Sequence, residues 1–297
     1  MNGKTLLIVN PIAGKGAVKQ HLMSIISRLS DGGCEVTVLP TKKGSETVDR
    51  IVSYLSRGSG FDMVVACGGD GTMSMTVEGV LRSKTNTPIG YIPFGSTNDF
   101  ASSLGISAVP SEAVKNILKS KPTPHDIGRF EDRHFTYIAC CGAFSDTSYS
   151  TNQVMKNMLG HTAYLISAIP SLASIHPMTL SINADGETIE GKFIFCALAN
   201  TTKVAGVVKL SEKKISFSDG RFELLLIRYP NDLVEAGRVA QKLLASNLRD
   251  PLIMMRHAKC CRIHSAEPIP WSLDGEDGGK SKNPTILVQK NAIQILK

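Results

Sequence analysis

The first 120 residues alternate short apolar runs with longer segments whose apolar residues recur every three or four positions. Four runs have the length and composition of buried strands: residues 5–9, 34–39, 63–67 and 89–92. The segments between them have helical periodicity, as at Val48, Ile51 and Leu55. This alternation predicts a parallel sheet covered by helices on both faces.

The pattern changes after residues 121–124, whose Lys-Pro-Thr-Pro composition is typical of a linker. Strand-like pairs follow: 126–130 with 135–141, and 178–183 with 187–199. Helices are predicted over about 153–173 and over 233–244. The second would bury one face, formed by Leu233, Val234, Val239, Ala240, Leu243 and Leu244. We therefore predict an α/β domain at 1–122 and a mostly antiparallel β-sandwich domain at 123–297, whose apolar end packs back on the first domain.

Composition and charge narrow the function classes without selecting one. The 297 residues are 42% hydrophobic and 20% charged, which is enough apolar material for a core. The net charge of +7 would favour an anionic partner such as a lipid or a nucleotide. Aromatic residues make up only 6% and do not alternate with basic residues, which argues against nucleic-acid binding.

Two further features bear on the compartment. No stretch reaches the ~18 consecutive apolar residues that a spanning helix requires, so any membrane contact would be peripheral. The seven cysteines include two adjacent pairs and no C-x-x-C spacing, and the first residues do not have a signal-peptide pattern. These features predict a reduced, cytoplasmic protein that associates peripherally with the inner face of the membrane.

Three polar, glycine-containing segments directly follow predicted strands of the first domain, at the edge where open α/β folds bind ligands. Residues 10–16 could bind phosphate or form only a tight turn, and they lack the Ser or Thr of a Walker A loop. Residues 68–72 combine three glycines, which let backbone N–H groups approach phosphate, with Asp70, whose carboxylate suits Mg²⁺. Residues 93–100 offer hydroxyl, amide and carboxylate groups, or a helix cap.

With an acidic triplet near the end of the chain, these segments resemble the diacylglycerol kinase catalytic-domain superfamily of lipid kinases, which includes bacterial diacylglycerol kinases and sphingosine kinases. The resemblance covers nearly the whole chain. It rests on five motifs in order: Asn10-Pro11-x-x-Gly14, Gly68-Gly69-Asp70-Gly71-Thr72, Pro93-x-Gly95-Ser96-x-Asn98-Asp99-Phe100, Asp219-Gly220 and Asp274-Gly275-Glu276. The glycine-aspartate signature alone is shared with NAD kinases and phosphofructokinases, whose fold the resemblance implies for the first domain.

The resemblance implies a kinase that binds ATP and Mg²⁺ between two domains, is completed by domain closure, and phosphorylates a lipid hydroxyl such as that of diacylglycerol. The implied ATP-binding residues are Asn10, Pro11, Ile12, Ala13, Gly14, Thr41, Cys67, Gly68, Gly69, Asp70, Gly71, Thr72, Met73, Ser96, Asn98 and Asp99. Asp70 would organise the catalytic Mg²⁺, and Glu276 or Asp274 would take the proton from the acceptor hydroxyl. A structural Mg²⁺ would be held near Asp219, with the carbonyl groups of Ser216 and Arg221.

Several points stay open at this stage. Residues 205–214 depart from the family pattern, so lipid specificity and the structural metal are undecided. In an extended segment Asp274 and Glu276 would project to the same side, and Glu276 is preferred as the base for its longer reach and slightly higher reference pKa. The alternatives are an NAD kinase-like phosphotransferase and a non-catalytic lipid- or nucleotide-sensing module.

The expected partners are a lipid substrate and an anionic membrane surface, and a homodimer is left open. Cationic residues could meet the lipid headgroups or could simply be solvated: Lys209, Lys213, Lys214, Arg256, His257, Lys259 and Arg262. The apolar helix near residues 163–173 could line an acceptor pocket or pack in the core.

Overall fold

The computed structural model describes residues 3–42, 44–56, 60–143, 176–204, 208–209 and 216–297. Two compact units divide the chain. The first contains residues 1–127 and 290–297, and the second contains residues 128–289. The predicted helix over 153–173 and the apolar segment 163–173 lie outside the described residues.

The first unit is a parallel sheet with helices. Its strands are β1 (Gly3–Val9), β2 (Cys34–Pro40), β3 (Phe61–Gly68) and β4 (Ile89–Pro93). Its helices are α1 (Ala17–Asp31), α2 (Glu46–Ser56), α3 (Asp70–Ser83), α4 (Asp99–Ser103) and α5 (Pro110–Lys119). The strand order β2–β1–β3–β4 is parallel throughout. The predicted α/β class is confirmed.

The apolar runs form these strands because they are buried on both faces. Leu7, Val65 and Ile92 are fully buried in three neighbouring strands, as central strands of a covered parallel sheet must be. The unit is completed by the last residues of the chain, where Ile295 and Leu296 pair with β4 in parallel. This end of the chain therefore adds a fifth parallel strand to the first unit.

The second unit is mostly antiparallel. Two strands continue from the first unit: β5 (Thr123–Phe130) and β17 (Thr285–Leu296). The others are β6 (Arg133–Phe135), β7 (Ile138–Gly142), β8 (Met178–Ala184), β9 (Glu187–Ala199), β10 (Lys203–Val204), β11 (Val208–Lys209), β12 (Phe222–Arg228), β13 (Ile253–Ala258), β14 (Cys260–Ser265), β15 (Ile269–Leu273) and β16 (Glu276–Ser281). The predicted β-sandwich class is confirmed.

Strand β9 organises this unit because it pairs with three other strands. Its first half pairs with β8, and its second half lies between β7 and β12. One face of these strands packs into a core that contains Phe193, Phe222 and Trp271. A long strand that changes partners is typical of sandwiches in which strands contribute to more than one layer.

Two expectations about local structure are not met in the structure. Helix α6 (Leu233–Leu244) is present as predicted, and its buried residues recur at helical spacing from Ala236 to Leu243. Leu233 and Val234, however, are 66% and 78% exposed, so placing them on the buried face was wrong. Val234 is two positions from Ala236, about 200° around the helix, and Leu233 lies at its first residue. The strand expected over 135–141 is also interrupted, between β6 and β7.

Candidate functional site

The three polar loops of the first unit meet at the carboxyl edge of its sheet. Asn10 N–H donates to the carbonyl of Cys67 at 2.9 Å, and Phe94 N–H donates to that of Gly68 at 2.7 Å. Thr41 N–H donates to the carbonyl of Val9 at 2.8 Å. These bonds continue the pairing just beyond the strand ends. Parallel strands end at the same edge, so the predicted ATP-binding segments lie side by side there.

The second and third loops touch through their backbones. A Cβ atom added to Gly95 would lie 2.8 Å from the Cα of Gly69, which is closer than side chains tolerate. One added to Gly69 would lie 3.2 Å from the Cα of Gly95. The close approach therefore requires glycine at Gly95 and favours it at Gly69. It leaves backbone, rather than side chains, at this part of the edge.

The first loop is a tight turn that packs on the third. Asn10 Oδ1 accepts a hydrogen bond from Ile12 N–H at 3.1 Å. Gly14, Lys15 and Gly16 all have positive φ angles, a conformation in which glycine has no steric cost. A Cβ on Gly14 would lie 3.0 Å from the carbonyl oxygen of Phe94. The geometry suits a turn, and it also brings Gly14 to the edge that the other loops form.

Asp70 is the first residue of α3 and is half-exposed. Its Oδ2 accepts from Asp99 N–H at 3.1 Å and from the Thr97 hydroxyl at 3.4 Å. Its Oδ1 accepts from Phe100 N–H at 3.4 Å. Burial, followed by the charge of Asp70 and a hydrogen bond to it, raises the pKa of Tyr91 well above its ordinary value. Asp70 therefore connects the second loop to the N-terminus of α4.

Asn98 closes the third loop. It has a left-handed backbone with φ of 50°. Its Oδ1 accepts from Gly95 N–H at 2.7 Å, and its Nδ2 donates to the Gly95 carbonyl at 2.9 Å. Ser96 and Thr97, between these positions, are exposed. The amide of Asn98 thus shapes the loop, while the hydroxyl of Ser96 is in a position to meet a ligand.

Thr72 supplies a buried hydroxyl beneath the second loop. The residue is 2% exposed, and its Oγ1 has no hydrogen-bond partner within the described part of the chain. A Cβ on Gly68 would overlap this hydroxyl, so glycine is needed there. The N–H groups of Thr72 and Met73 donate to the Gly69 carbonyl at 2.9 and 3.1 Å. A buried hydroxyl without a protein partner fits a polar ligand at this edge.

The acidic side chains at this edge can be compared with the ligands that Mg²⁺ usually has in proteins. Across the described ranges, no group of three or more His, Cys, Asp or Glu side chains could hold a metal ion by itself. Mg²⁺ at phosphoryl-transfer sites is usually bound by one or two carboxylates together with substrate phosphates and water. Asp70, half-exposed at the edge where phosphate would be bound, fits that mode.

In the second unit, the acidic triplet forms a turn instead of an extended segment. Strands β15 and β16 are joined by Asp274 and Gly275, whose φ angles are 52° and 87°. Two positive φ angles characterise the type I′ turn of two-residue hairpins. The expectation that Asp274 and Glu276 project to the same side of an extended segment was therefore wrong. Asp274 is 6% exposed, whereas Glu276 is exposed.

Within the described part of the chain, residues 136–138 donate four hydrogen bonds to the carboxylate of Asp274. Its Oδ2 accepts from Thr136 N–H at 2.6 Å and from the Thr136 hydroxyl at 2.8 Å. Its Oδ1 accepts from the N–H groups of Tyr137 and Ile138 at 2.9 and 3.2 Å. These bonds explain the break between β6 and β7, because the amides there are turned to a side chain. The four bonds occupy both oxygens, so Asp274 is poorly placed to accept a substrate proton.

The implied structural-metal residues lie on a turn before β12. Asp219 is exposed, and its Oδ1 accepts from Arg221 N–H at 2.9 Å. Gly220 between them has a φ of 83°. Part of the departing segment, residues 205–207 and 210–214, lies outside the described residues. The structural Mg²⁺ site therefore stays a prediction.

Sequence reasoning missed two residues of this unit. Thr136 carried no signal, because its role depends on a residue far along the chain. Glu223 had a signal: it is an acidic residue within the apolar strand β12. Burial, partly opposed by a backbone hydrogen bond and reinforced by the charge of Asp219, raises the pKa of Glu223 to about 8. Its Oε2 has no hydrogen-bond partner in the part of the chain that the structure describes.

One of the proposed headgroup cations is partly neutralised, since Arg256 Nε lies 3.6 Å from Glu187 Oε1. His257 Nδ1 lies 3.6 Å from Glu223 Oε1, but the raised pKa of Glu223 keeps that carboxyl largely protonated at neutral pH. Lys259 and Arg262 are exposed. The side chains of Lys209, Lys213 and Lys214 lie outside the described residues. Within the described ranges, no helix is long and apolar enough to cross a membrane.

Comparison with protein families matches both parts of the chain. Residues 4–130 match the diacylglycerol kinase catalytic domain. Residues 140–297 match the YegS C-terminal NAD kinase beta sandwich-like domain. The two matched domains thus follow one another along the chain.

Comparison with individual proteins gives relatives of similar length. A diacylglycerol kinase from Bacillus subtilis is 31% identical over 278 residues, 92% of this chain and 89% of that protein. One from Staphylococcus carnosus is 29% identical over 283 residues, 94% of this chain and 90% of that protein. The crystal structure of a diacylglycerol kinase from Bacillus anthracis superposes with a TM-score of 0.81 at 23% identity, covering 99% and 96% of the two chains. That structural likeness shows the fold.

Proposed function

The chain belongs to the diacylglycerol kinase family and is an ATP-dependent lipid kinase, and we propose that its acceptor is the free hydroxyl group of diacylglycerol. Kinases of this family use ATP and usually a divalent metal. The acceptor is proposed from the relatives in Bacillus subtilis and Staphylococcus carnosus, which are named for it. The observation that carries the nucleotide half of the proposal is the meeting of three loops at the carboxyl edge of the first unit.

The first unit would hold the phosphates of ATP. The close backbone approach of Gly69 and Gly95 leaves little side-chain bulk at the edge, and the N-terminus of the 14-residue helix α3 favours negative charge there. Ser96 and the buried hydroxyl of Thr72 would add hydrogen bonds. Phosphoryl transfer depends mainly on such positioning and on electrostatic stabilisation. Nucleotide binding at this edge is therefore proposed for the whole set of implied ATP-binding residues.

Asp70 would hold the catalytic Mg²⁺. When bound, the ion neutralises charge that develops on the transferred phosphoryl group. Asp70 would bring a carboxylate to that ion. Its bonds to the N–H groups of Asp99 and Phe100 would hold the second and third loops in a fixed position relative to each other. Asp219, with the carbonyls of Ser216 and Arg221, is proposed for the structural Mg²⁺, a role that stays a prediction.

Glu276 is proposed as the general base. Its carboxylate is exposed on β16, directly after the turn, whereas the four hydrogen bonds to Asp274 occupy the competing carboxylate. A base within reach of the acceptor hydroxyl contributes typically ~10² to 10⁴ in rate. Glu276 would take the proton of that hydroxyl as its oxygen attacks the γ-phosphorus of ATP, and ADP would leave.

Peripheral binding to an anionic membrane is also part of the proposal. The net charge of +7 and the exposed Lys259 and Arg262 support it. The ion contact of Arg256 with Glu187 reduces the charge available for headgroups. A cytoplasmic location at the inner face of the membrane and a homodimer stay predictions.

The test is phosphorylation of a total lipid extract with labelled ATP, in parallel with NAD as acceptor, and identification of each product by mass. We expect phosphatidic acid from the extract and no labelled NADP. The variant Asp70→Asn should lose the labelled lipid product, and Asp31→Asn, which removes an exposed carboxylate of the same unit, serves as its control. Labelled NADP without a lipid product would favour the NAD kinase alternative, and absence of ATP turnover with either acceptor would favour a sensing module.

A further inference from the structure

We infer that Thr136 is a positioning residue for the general base: it holds the Asp274 carboxylate and thereby sets the turn from which Glu276 projects. The inference rests on the proposed function, because it assigns a purpose to the turn that carries the proposed base. It gives Thr136 a role in turnover that no motif of the chain indicates.

Two hydrogen bonds join Thr136 to the carboxylate of Asp274. Thr136 supplies two of the four bonds, from its N–H and from its hydroxyl, and both reach the same oxygen at 2.6 and 2.8 Å. Both residues are buried, with 1% and 6% exposure. Hydrogen bonds to an ionised acceptor are stronger than neutral ones, and low local polarity strengthens them further. The carboxylate therefore has a defined orientation.

That orientation is transmitted to Glu276 through two residues of backbone. Asp274 N–H donates to the Ile138 carbonyl at 2.9 Å, and Leu273 pairs with Ala139. The turn is thus tied to the start of β7 by backbone and side chain together. Gly275 follows with a φ of 87°, and Glu276 pairs back with Leu273.

Apart from the turn, strand β16 is held by its pairing with β15 and by two side-chain contacts: Arg133 Nη1 donates to the Asp277 carbonyl at 2.9 Å, and the Ser281 hydroxyl donates to Glu131 Oε1 at 2.7 Å. Among the described strands it pairs with β15 alone, at the end of the strand order. Its residues Glu276, Asp277, Gly279 and Lys280 are exposed, so packing contributes little to its position. Glu276 is the first residue of β16, so its placement depends on the turn together with the Arg133 contact at Asp277, and the turn depends on the carboxylate of Asp274.

Thr136 is the place where this arrangement can be tested by substitution. Of the four donors from residues 136–138, three are backbone N–H groups that side-chain replacement leaves in place. The fourth is the Thr136 hydroxyl. Thr136→Val removes that hydroxyl at nearly constant shape, and Thr136→Ser keeps it. The pair therefore separates the hydrogen bond from the volume of the side chain.

The experiment compares Thr136→Val, Thr136→Ser and Thr5→Val in steady-state kinetics with diacylglycerol in mixed micelles. Thr5 is the matched control, since it is fully buried in the first unit and its hydroxyl has no partner among the described residues. We expect Thr136→Val to lower kcat roughly 10- to 100-fold, the range for losing one hydrogen bond to a charged group, with the KM for ATP unchanged. Thr136→Ser and Thr5→Val should stay within about 3-fold of the wild type.

A second measurement is independent of activity. Amide hydrogen exchange at Tyr137 and Ile138, whose N–H groups donate to the same carboxylate, should accelerate in Thr136→Val and return to wild-type rates in Thr136→Ser. Unchanged kcat in Thr136→Val, or equal losses in Val and Ser variants, would overturn the inference. If the wild type phosphorylated no lipid, the proposed function would fail, and unchanged exchange would separately reject the role of Thr136 in holding Asp274.

Discussion

Asp70 in the first unit and Asp274 in the second are both adjacent to glycine, yet Asp70 begins helix α3 whereas Asp274 lies in a hairpin turn, and their surroundings differ. Asp70 is half-exposed and receives contacts of 3.1 to 3.4 Å from a short helix and a threonine. Asp274 is buried and receives four bonds of 2.6 to 3.2 Å. A carboxylate with long contacts at the surface can exchange them for a cation, whereas one in short buried contacts is committed to holding the chain.

The largest expected effect is the loss of turnover when the proposed metal-binding carboxylate of Asp70 is replaced. Asp70→Asn should leave the first unit folded, because an amide oxygen can still accept from the α4 backbone, but should lower kcat at least ~10³-fold through loss of the metal-binding charge. Kinetics over a Mg²⁺ titration, with melting temperature as the folding check, tests this. Turnover near that of the Asp31→Asn control would mean that Asp70 does not bind the catalytic metal ion.

The next effect concerns the residue that Asp274 is inferred to position. Glu276→Gln should lower turnover at least ~10²-fold while ATP affinity and melting temperature stay the same, because an exposed amide replaces the base without disturbing packing. Steady-state kinetics and nucleotide titration measure both quantities. Glu267→Gln, an exposed change in the same unit, is the control. Retained turnover would remove Glu276 from the mechanism.

Asp274→Asn should act on both stability and rate. An amide nitrogen would face the N–H donors of Thr136 or of Tyr137 and Ile138, so the free energy of unfolding should fall by about 3 kcal/mol. Turnover should fall roughly 10- to 100-fold, with the pH dependence of the remaining activity unchanged. Denaturant unfolding and a pH–rate profile, beside an Asp132→Asn control, measure these effects. A shifted pH limb at normal stability would transfer the base role to Asp274.

Glu223 offers a second comparison, because it is buried like Asp274 but its Oε2 has no donor among the residues that the structure describes. Its folded-state pKa is about 8 against an ordinary 4.5, so the folded chain holds a proton that the unfolded chain releases between those values. The free energy of unfolding should therefore fall as pH rises through this window. Glu223→Gln should remove the fall and stabilise the protein by roughly 1 to 3 kcal/mol at pH 9 relative to wild type.

The measurement for Glu223→Gln is unfolding with EDTA at pH 5, 7 and 9. The difference from the wild type should grow with pH, whereas Asp274→Asn should remain destabilising at all three. Parallel curves for wild type and Glu223→Gln would show that Glu223 already has a donor in solution.

Local sequence patterns were sufficient to predict which loops of the first unit lie together. A parallel β-α-β chain has each strand ending at the same edge, so the loops after β1, β3 and β4 had to meet there. Residues 10–16, 68–72 and 93–100 could therefore be grouped from the sequence before any distance was known. The glycines at 69 and 95 are consistent with that grouping, although only the structure shows that they touch each other.

The sequence by itself determined the two fold classes, the loop edge of the first unit and the motifs that identify the family, because these follow from periodicity and from short runs of residues. Only the tertiary structure decided that Asp274 is held and Glu276 exposed, that Glu223 lies buried, and that Leu233 and Val234 are exposed. Thr136 and Asp274 are 138 positions apart. Hydrogen bonds and burial at that separation depend on how strands are brought together, which no local spacing of residues encodes.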